Sequence, residues 1–189
     1  MESALVVSSG EKGRDMVREL LGQFAFQSVS AAGSGSEARR ILLESDFDLV
    51  VVNAPLSDEF GGELAQMAAM DTNSGVMMLV RTELSDEIAA RVEDYGVFVV
   101  PKPVSRQFFY QSLKLVRASR ARLLGLRAEN VKLQQKIEEI RLVDRAKCAL
   151  IQYLSMDEAQ AHRYIEKQAM DLRITRRKVA QAILNTYES

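Results

Sequence analysis

One uninterrupted helical run, from about Arg106 to Tyr153, constrains this chain more than any other feature. It contains no proline, and its one glycine is Gly125. Leu123, Leu126, Leu133, Ile137 and Ile140 recur at alternating three- and four-residue steps, and Asn130 takes the step between Leu126 and Leu133. That is a heptad stripe with one polar residue in its seam. So narrow an apolar strip suits a partner helix better than a globular core. At the helical rise the run would extend roughly 70 Å, too far for a compact domain of this size. The chain therefore reads as three parts: a module over residues 1–118, a coiled-coil linker over 119–142, and a second module over 143–189.

The charge distribution supports two different modules. Residues 1–104 hold 8 Lys and Arg against 17 Asp and Glu, a net of −9, whereas residues 105–189 hold 17 against 9, a net of +8. A basic module of this kind is suited to a polyanion, and an acidic one is not. With a single cysteine, Cys148, no internal disulfide framework exists, and with a single histidine, His162, a zinc site is not expected. No metal or cofactor is expected elsewhere. No apolar run approaches the ~18 residues of a membrane span, and Met1 opens no secretory signal, so the cytoplasm is the expected location.

The N-terminal module alternates strands and helices. Ala4–Ser8, Gln27–Ala31, Asp48–Asn53, Val76–Val80 and Val97–Val100 read as strands, the last closed by Pro101-Lys102-Pro103. Arg14–Phe24, a helix opening at Ser36, Gly61–Met70 and Ser85–Tyr95 carry helical spacing. The strands are apolar throughout instead of alternating, as in a parallel sheet covered by helices on both faces. A fifth helix is expected to start after Ser105 as N-cap, with Phe108, Phe109 and Leu113 packing back on the sheet.

Five such units ending in a Lys-Pro resemble the receiver domain of two-component response regulators, a flavodoxin-like α/β fold with a five-stranded parallel sheet. In that family an Asp closing strand three accepts a phosphoryl group, two acidic residues after strand one hold Mg²⁺, and a hydroxyl residue and a Lys read out the phosphate. Here the corresponding positions are Asn53, the pair Ser8 and Ser9, and Val80; of the set, only Lys102 is retained. An amide forms no acyl phosphate, and serines with an amide make a poor cage for a hard divalent ion. The expectation is a pseudo-receiver, neither phosphorylated nor metal-bound at this site, in which Lys102 bonds Asn53 or a backbone carbonyl. Asp58 and Glu59, past strand three, read as solvated loop charges.

After Leu154, Ser155-Met156-Asp157-Glu158 reads as a capping box, with Ser155 capping and Glu158 reaching back. It would open a helix with Ala159, Ala161, His162, Ile165 and Ala169 available for packing. Thr175 would cap a last helix with Val179, Ala182 and Ile183 inward. Ala146-Lys147, Glu158-Ala159, Ala169-Met170, Arg173, and Val179-Ala180 with Ile183 resemble, in order and spacing, the ANTAR domain, an RNA-binding antiterminator module; the one departure is Cys148, where glycine is common. The resemblance implies a three-helix bundle that binds tandem hairpins in a nascent leader transcript and prevents a terminator from forming. Arg141, Arg145, Lys147, Arg163, Lys167, Arg173, Arg176, Arg177 and Lys178 are the candidate phosphate contacts. Ala146 would permit close approach of backbone or nucleotide, or serve helix packing. Tyr153 and Tyr164 would stack on bases or fill the core. A homodimer through the coil would present two such modules to two hairpins, and control without phosphorylation calls for a regulatory protein partner or for none. A protein-interaction adaptor and a DNA-binding regulator are the alternatives. No nucleophile–base pair or phosphate-binding glycine loop suggests an enzyme.

Overall fold

The computed structural model describes residues 2–24 and 26–187; Met1, Ala25 and residues 188–189, where the expected modules begin and end, lie outside the described residues. The chain divides into two compact units, Met1–Leu124 and Gly125–Ser189.

The first unit is a doubly wound α/β domain. Its strands are β1 (Glu2–Val7), β2 (Phe26–Ala32), β3 (Leu49–Asn53), β4 (Gly75–Arg81) and β5 (Val97–Lys102). They form one sheet in the order β2-β1-β3-β4-β5, with every pair parallel. Helices α1 (Glu11–Leu21), α2 (Gly35–Glu44), α3 (Gly62–Asp71) and α4 (Ser85–Val92) connect them, and α5 (Arg106–Leu154) follows β5. A short 3₁₀ turn, Glu93–Tyr95, continues α4 to the residue where the expected helix ended.

The uninterrupted apolar strands are explained by burial on both faces. Leu5, Val7, Val50, Val52, Met78 and Val80 point to one side, where Ala38 of α2, Leu64 and Ala65 of α3, and Ile88 and Val92 of α4 cover them. Ala4, Val6, Val51, Met77 and Leu79 point to the other, beneath Val17 and Leu21 of α1 and Phe109, Leu113 and Val116 of α5. Val50, Val51 and Val52 are each 0% exposed, so each side chain contributes about 1.5–3 kcal/mol of burial. Gly61 begins α3 at φ +104°, and a Cβ there would come within 2.8 Å of Val52 Cγ1, so both the backbone and the packing call for glycine.

Phe108 does not pack as expected: it is 41% exposed, while Phe109 and Leu113 fill the interface. The helical period sends adjacent residues about 100° apart, so Phe108 and Phe109 cannot both face the sheet. Asp58 is exposed, as expected of a loop charge, but both it and Glu59 are engaged within the domain. The Asp58 carboxylate accepts from the N–H groups of Gly35 and Ser36 and from the Ser36 hydroxyl, at 2.8–2.9 Å, and so serves the α2 N-terminus from across the domain. Glu59 holds Arg39 in a two-pronged ion pair at 2.7 and 2.9 Å.

The second unit is a small helical module. The C-terminal part of α5, with α6 (Glu158–Asp171) and α7 (Arg176–Tyr187), closes around Ala149, Leu150, Ala161, Ile165, Val179, Ala180, Ile183 and Leu184. Ala182, expected inward, is exposed, and Leu184 takes its place in the core. The cap of α6 lies two residues beyond the expected Ser155. Asp157 accepts from Gln160 N–H at 2.7 Å, and Gln160 Oε1 accepts from Asp157 N–H at 3.0 Å. Ser155 instead takes φ +53° just past the end of α5, a backbone that cannot serve as an extended N-cap. Thr175 does cap α7, accepting from Lys178 N–H at 3.3 Å.

Candidate nucleic-acid interface and the altered receiver pocket

In a 2-1-3-4-5 sheet the crevice for a ligand lies beyond the carboxyl ends of β1 and β3, where the connections change direction. The chain puts Ser8 and Ser9 after β1, Asn53 at the end of β3, Val80 near the end of β4 and Lys102 at the end of β5. These residues converge, and they bond to one another. Asn53 Nδ2 donates to Ser8 Oγ at 2.9 Å, and Ser8 is 2% exposed. Asn53 Oδ1 is buried without a hydrogen-bond partner among the described residues. Gly13 of α1 presses on this pair so closely that a Cβ there would overlap both Ser8 Oγ and Asn53 Nδ2.

Arg14 Nη1 donates to the Ser8 carbonyl at 2.9 Å, which brings a positive charge to the residue that stands where the receiver family carries a carboxylate. Val80 is fully buried and offers no hydroxyl. Lys102 donates through Nζ to the Ala54 carbonyl. Burial, reinforced by the nearby Arg81 charge, pushes the Lys102 amine below its ordinary value. Among the described residues, no group of three or more His, Cys, Asp or Glu is gathered as a metal would require.

The heptad residues of α5 remain on the surface. Leu123, Leu126, Leu133, Ile137 and Ile140 are 49–57% exposed, and Asn130 is exposed with them. This apolar stripe is about half-exposed along its length.

The candidate phosphate contacts lie on all three helices of the second unit. Arg141 and Arg145 on α5, Arg163 and Lys167 on α6, Arg173 on the α6–α7 turn, and Arg177 and Lys178 on α7 are exposed. Lys147 and Arg176 are engaged with carboxylates. Lys147 Nζ lies 2.8 Å from Asp144 and 3.3 Å from Glu158, joins α5 to α6 and is only 16% exposed at its side chain; its bond to Asp144 above all raises its pKa. Arg176 approaches Glu166 at 3.6 Å and Glu139 at 3.9 Å. Ala146 is not a surface contact: at 0% exposure it is part of the helical core, where only a small side chain fits. His162 is half-exposed, 3.3 Å from Glu166.

The turn after α6 concentrates the unusual geometry. Arg173 sits at φ +53°, in the left-handed region that favours glycine. Its N–H donates to Met170 O at 3.2 Å, and Ile174 N–H donates to Ala169 O at 3.0 Å, the paired bonds of a Schellman helix end. An arginine in this place costs about 1–2 kcal/mol of backbone strain that glycine would not. Tyr153 stacks on Tyr187, with ring centroids 5.2 Å apart and planes at 16°. Tyr187 was not a sequence candidate, because nothing local couples two tyrosines so far apart in the chain.

Comparison with known proteins agrees with both halves. Residues 131–184 match the family model of the ANTAR domain. A receiver-fold domain followed by an ANTAR domain is the make-up of an ANTAR response regulator, and that is the class of this chain. It is similar to the transcriptional regulatory protein PdtaR of Mycobacterium tuberculosis, 27% identical over 169 residues that cover 89% of this chain and 82% of PdtaR. The first unit shares its fold with the signal receiver domain of an HD domain-containing protein from Pseudomonas fluorescens Pf-5, at TM-score 0.57 and 19% identity over 66% of this chain and 92% of that one. The chemotaxis response regulator CheY4 of Vibrio cholerae gives TM-score 0.52 and 24% identity over 61% and 98%. Among the described residues, no helix is long and apolar enough to cross a membrane.

Proposed function

We propose that this response regulator is an RNA-binding transcription antitermination factor. Its ANTAR unit grips paired stem-loops in a nascent leader RNA and thereby keeps the overlapping terminator from forming. The observation that carries this reading is the coincidence of the ANTAR match at 131–184 with a surface of exposed cations on the same unit. Phosphate backbones are the natural counter-charge for such a surface. Arg141, Arg145, Arg163, Lys167, Arg173, Arg177 and Lys178 are the proposed contacts. Lys147 and Arg176 act chiefly by tying α5, α6 and α7 together.

The exposed stripe from Leu123 to Ile140 supports a homodimer, since an apolar seam on a solvated helix is stabilised by a second copy. Two chains carry two RNA-binding units, and simultaneous engagement of two hairpins raises avidity without any new contact. Control is independent of phosphorylation: the amide of Asn53 accepts no phosphoryl group, and Ser8 and Ser9 supply no charged oxygen for a metal. Regulation then falls to a protein partner on the acidic first unit or to expression alone, in the cytoplasm where nascent transcripts are found.

The test is equilibrium binding of the full chain to RNA from its host's leader regions, with one stem-loop or with two. Tandem stem-loops should bind at least ten-fold more tightly than either alone. Equal affinities would remove the bivalent mechanism, and no binding to any tandem leader hairpin would remove the antitermination reading.

A further inference from the structure

Helices α3 and α4 flank a cleft of about 450 Å³ in the first unit. Its floor is apolar: Ile88 and Val92 are 8% and 1% exposed, and Leu84 lies partly buried beside them. Phe60, which also lines it, is 37% exposed. Gln66 Nε2 donates to the Arg91 carbonyl at 3.0 Å and fixes the spacing of the two helices, so the cleft is formed before anything enters it. Gly62 is part of the lining, and a Cβ there would meet nothing within 4 Å. Neither packing nor backbone conformation calls for glycine at the start of α3, where alanine would serve the helix better. Its effect is to leave the wall of the cleft open.

Four of the lining residues carry charge, and three of these are carboxylates: Glu59, Glu63 and Glu87, against Arg91. Glu59 is turned to Arg39. Glu87 meets Arg91 at 2.6 Å, with both side chains more than half exposed. Such a pair is weak in water and yields to an incoming cation. Glu63 is exposed. The surroundings have the same sign. Residues 57–95 hold nine Asp and Glu against two Arg, a net of −7, so most of the −9 of residues 1–104 belongs to this stretch. Glu83, Asp86, Glu93 and Asp94, on or beside α4, are all exposed. A polyanion is repelled by this face. Among the described residues, the carboxylates are not gathered as a metal would require. A polycation without apolar groups would leave the floor of the cleft in water. An uncharged apolar segment would cover the carboxylates without pairing them. A segment that is both basic and apolar uses floor and walls together.

We propose that the α3–α4 cleft is the docking site for a basic, amphipathic segment of a partner protein. An apolar side chain of that segment sits on Ile88 and Val92 beside Phe60, and Lys or Arg on either side of it reach Glu63 of α3 and Glu87 of α4. The apolar anchor supplies most of the affinity, while the carboxylates select the sign of the partner and speed the encounter. This inference rests on the reading of the acidic first unit as the seat of control by a protein partner, and it adds the face and the chemistry of that partner.

The experiment pans a displayed library of random peptides on the full chain and, in parallel, on Gly62→Leu, which fills the cleft without altering its charge. Physiological salt suppresses diffuse attraction. Peptides retained by the unaltered chain and lost by Gly62→Leu should be net basic and carry at least one large apolar residue. A synthetic peptide of such a sequence, followed by fluorescence anisotropy, should bind the Glu63→Lys, Glu87→Lys chain about ten-fold more weakly or worse. Asp15→Lys with Glu19→Lys reverses the same amount of charge on α1, across the sheet, and should change the affinity by less than about two-fold. Thermal melting of each variant controls for folding. Cleft-dependent peptides that are neutral or acidic overturn the proposal, as does an equal loss of affinity in the α1 variant. The absence of any peptide that distinguishes the unaltered chain from a folded Gly62→Leu chain also overturns it, and control through another face of the first unit then still stands. Altered sedimentation of the peptide-free Gly62→Leu chain assigns the cleft to a second copy and overturns the proposal too. Leader readthrough in the host that is unchanged by Glu63→Lys with Glu87→Lys, while the peptide is lost, keeps the docking site and overturns control through it.

Discussion

Asn53 Nδ2 donates to Ser8 Oγ across 2.9 Å, joining the end of β3 to the end of β1 where a receiver of the phosphorylated kind holds carboxylates apart around a metal. The contact draws these strand ends together, and Gly13 seals them from above. Restoring the acceptor alone does not restore the chemistry. Asn53→Asp should remain unmodified on incubation with acetyl phosphate and Mg²⁺, as read by intact mass, because Ser8 and Ser9 still supply no charged ligands. It should also lower stability by about 1–3 kcal/mol, since a half-buried carboxylate replaces the amide that donates to Ser8 Oγ. A phosphoryl adduct on the unaltered protein's first unit would end the phosphorylation-independent reading.

Arg173 separates side-chain function from fold. Arg173→Gly relieves the left-handed strain, and the gain of about 1 kcal/mol is partly offset by the greater unfolded-state freedom of glycine. Its melting temperature should therefore not fall. Its affinity for tandem stem-loop RNA should fall by roughly ten-fold or more, on the scale of one charge-assisted contact. Lys147→Ala should behave differently. It breaks the bridge to Asp144 and Glu158, so stability and affinity decline together. A destabilised Arg173→Gly chain with unchanged RNA affinity would reverse this assignment.

The α5 stripe gives a prediction about assembly. Leu133 and Ile137 are 57% and 49% exposed in the single chain, so Leu133→Glu with Ile137→Glu leaves the core of each unit untouched. Sedimentation should find a monomer whose melting resembles that of the unaltered chain, and the preference for two stem-loops over one should vanish. A doubly substituted chain that stays dimeric would mean the seam lies elsewhere.

Asp58 gives a pH dependence with a defined sign. Hydrogen bonds from the Gly35 and Ser36 N–H groups, and then from the Ser36 hydroxyl, lower its pKa from the usual 3.8 to about 2. The folded state thus binds this proton less readily than the unfolded chain. The stabilisation is complete above about pH 4 and is lost as pH falls through about 2. Asp58→Asn should lower the melting temperature at pH 7 and flatten the acid limb of the stability profile between pH 4 and 2. An unchanged acid limb would show that the carboxylate contributes nothing at the α2 terminus.

The sequence by itself determined the order of strands and helices, the loss of carboxylates at Ser8, Ser9 and Asn53, the heptad seam and the basic C-terminal module. Each of these is written in neighbours along the chain: an unbroken Val run, a three-four spacing, a residue type at a motif position. Partners distant in the chain were not legible. Asp58 reaching Gly35, Glu59 holding Arg39, Gly13 closing on Ser8 and Asn53, and Tyr187 stacking on Tyr153 all depend on chain closure, which no local pattern encodes. The same holds for burial. Ala146 and Lys147 are adjacent in the motif, yet one is sealed in the core and the other is clamped by two carboxylates, because a helix turns neighbours toward different surroundings. The cap of α6 slid from Ser155 to Asp157 for a related reason. Several residues there can cap, and the tertiary path of the backbone, left-handed at Ser155, chose between them.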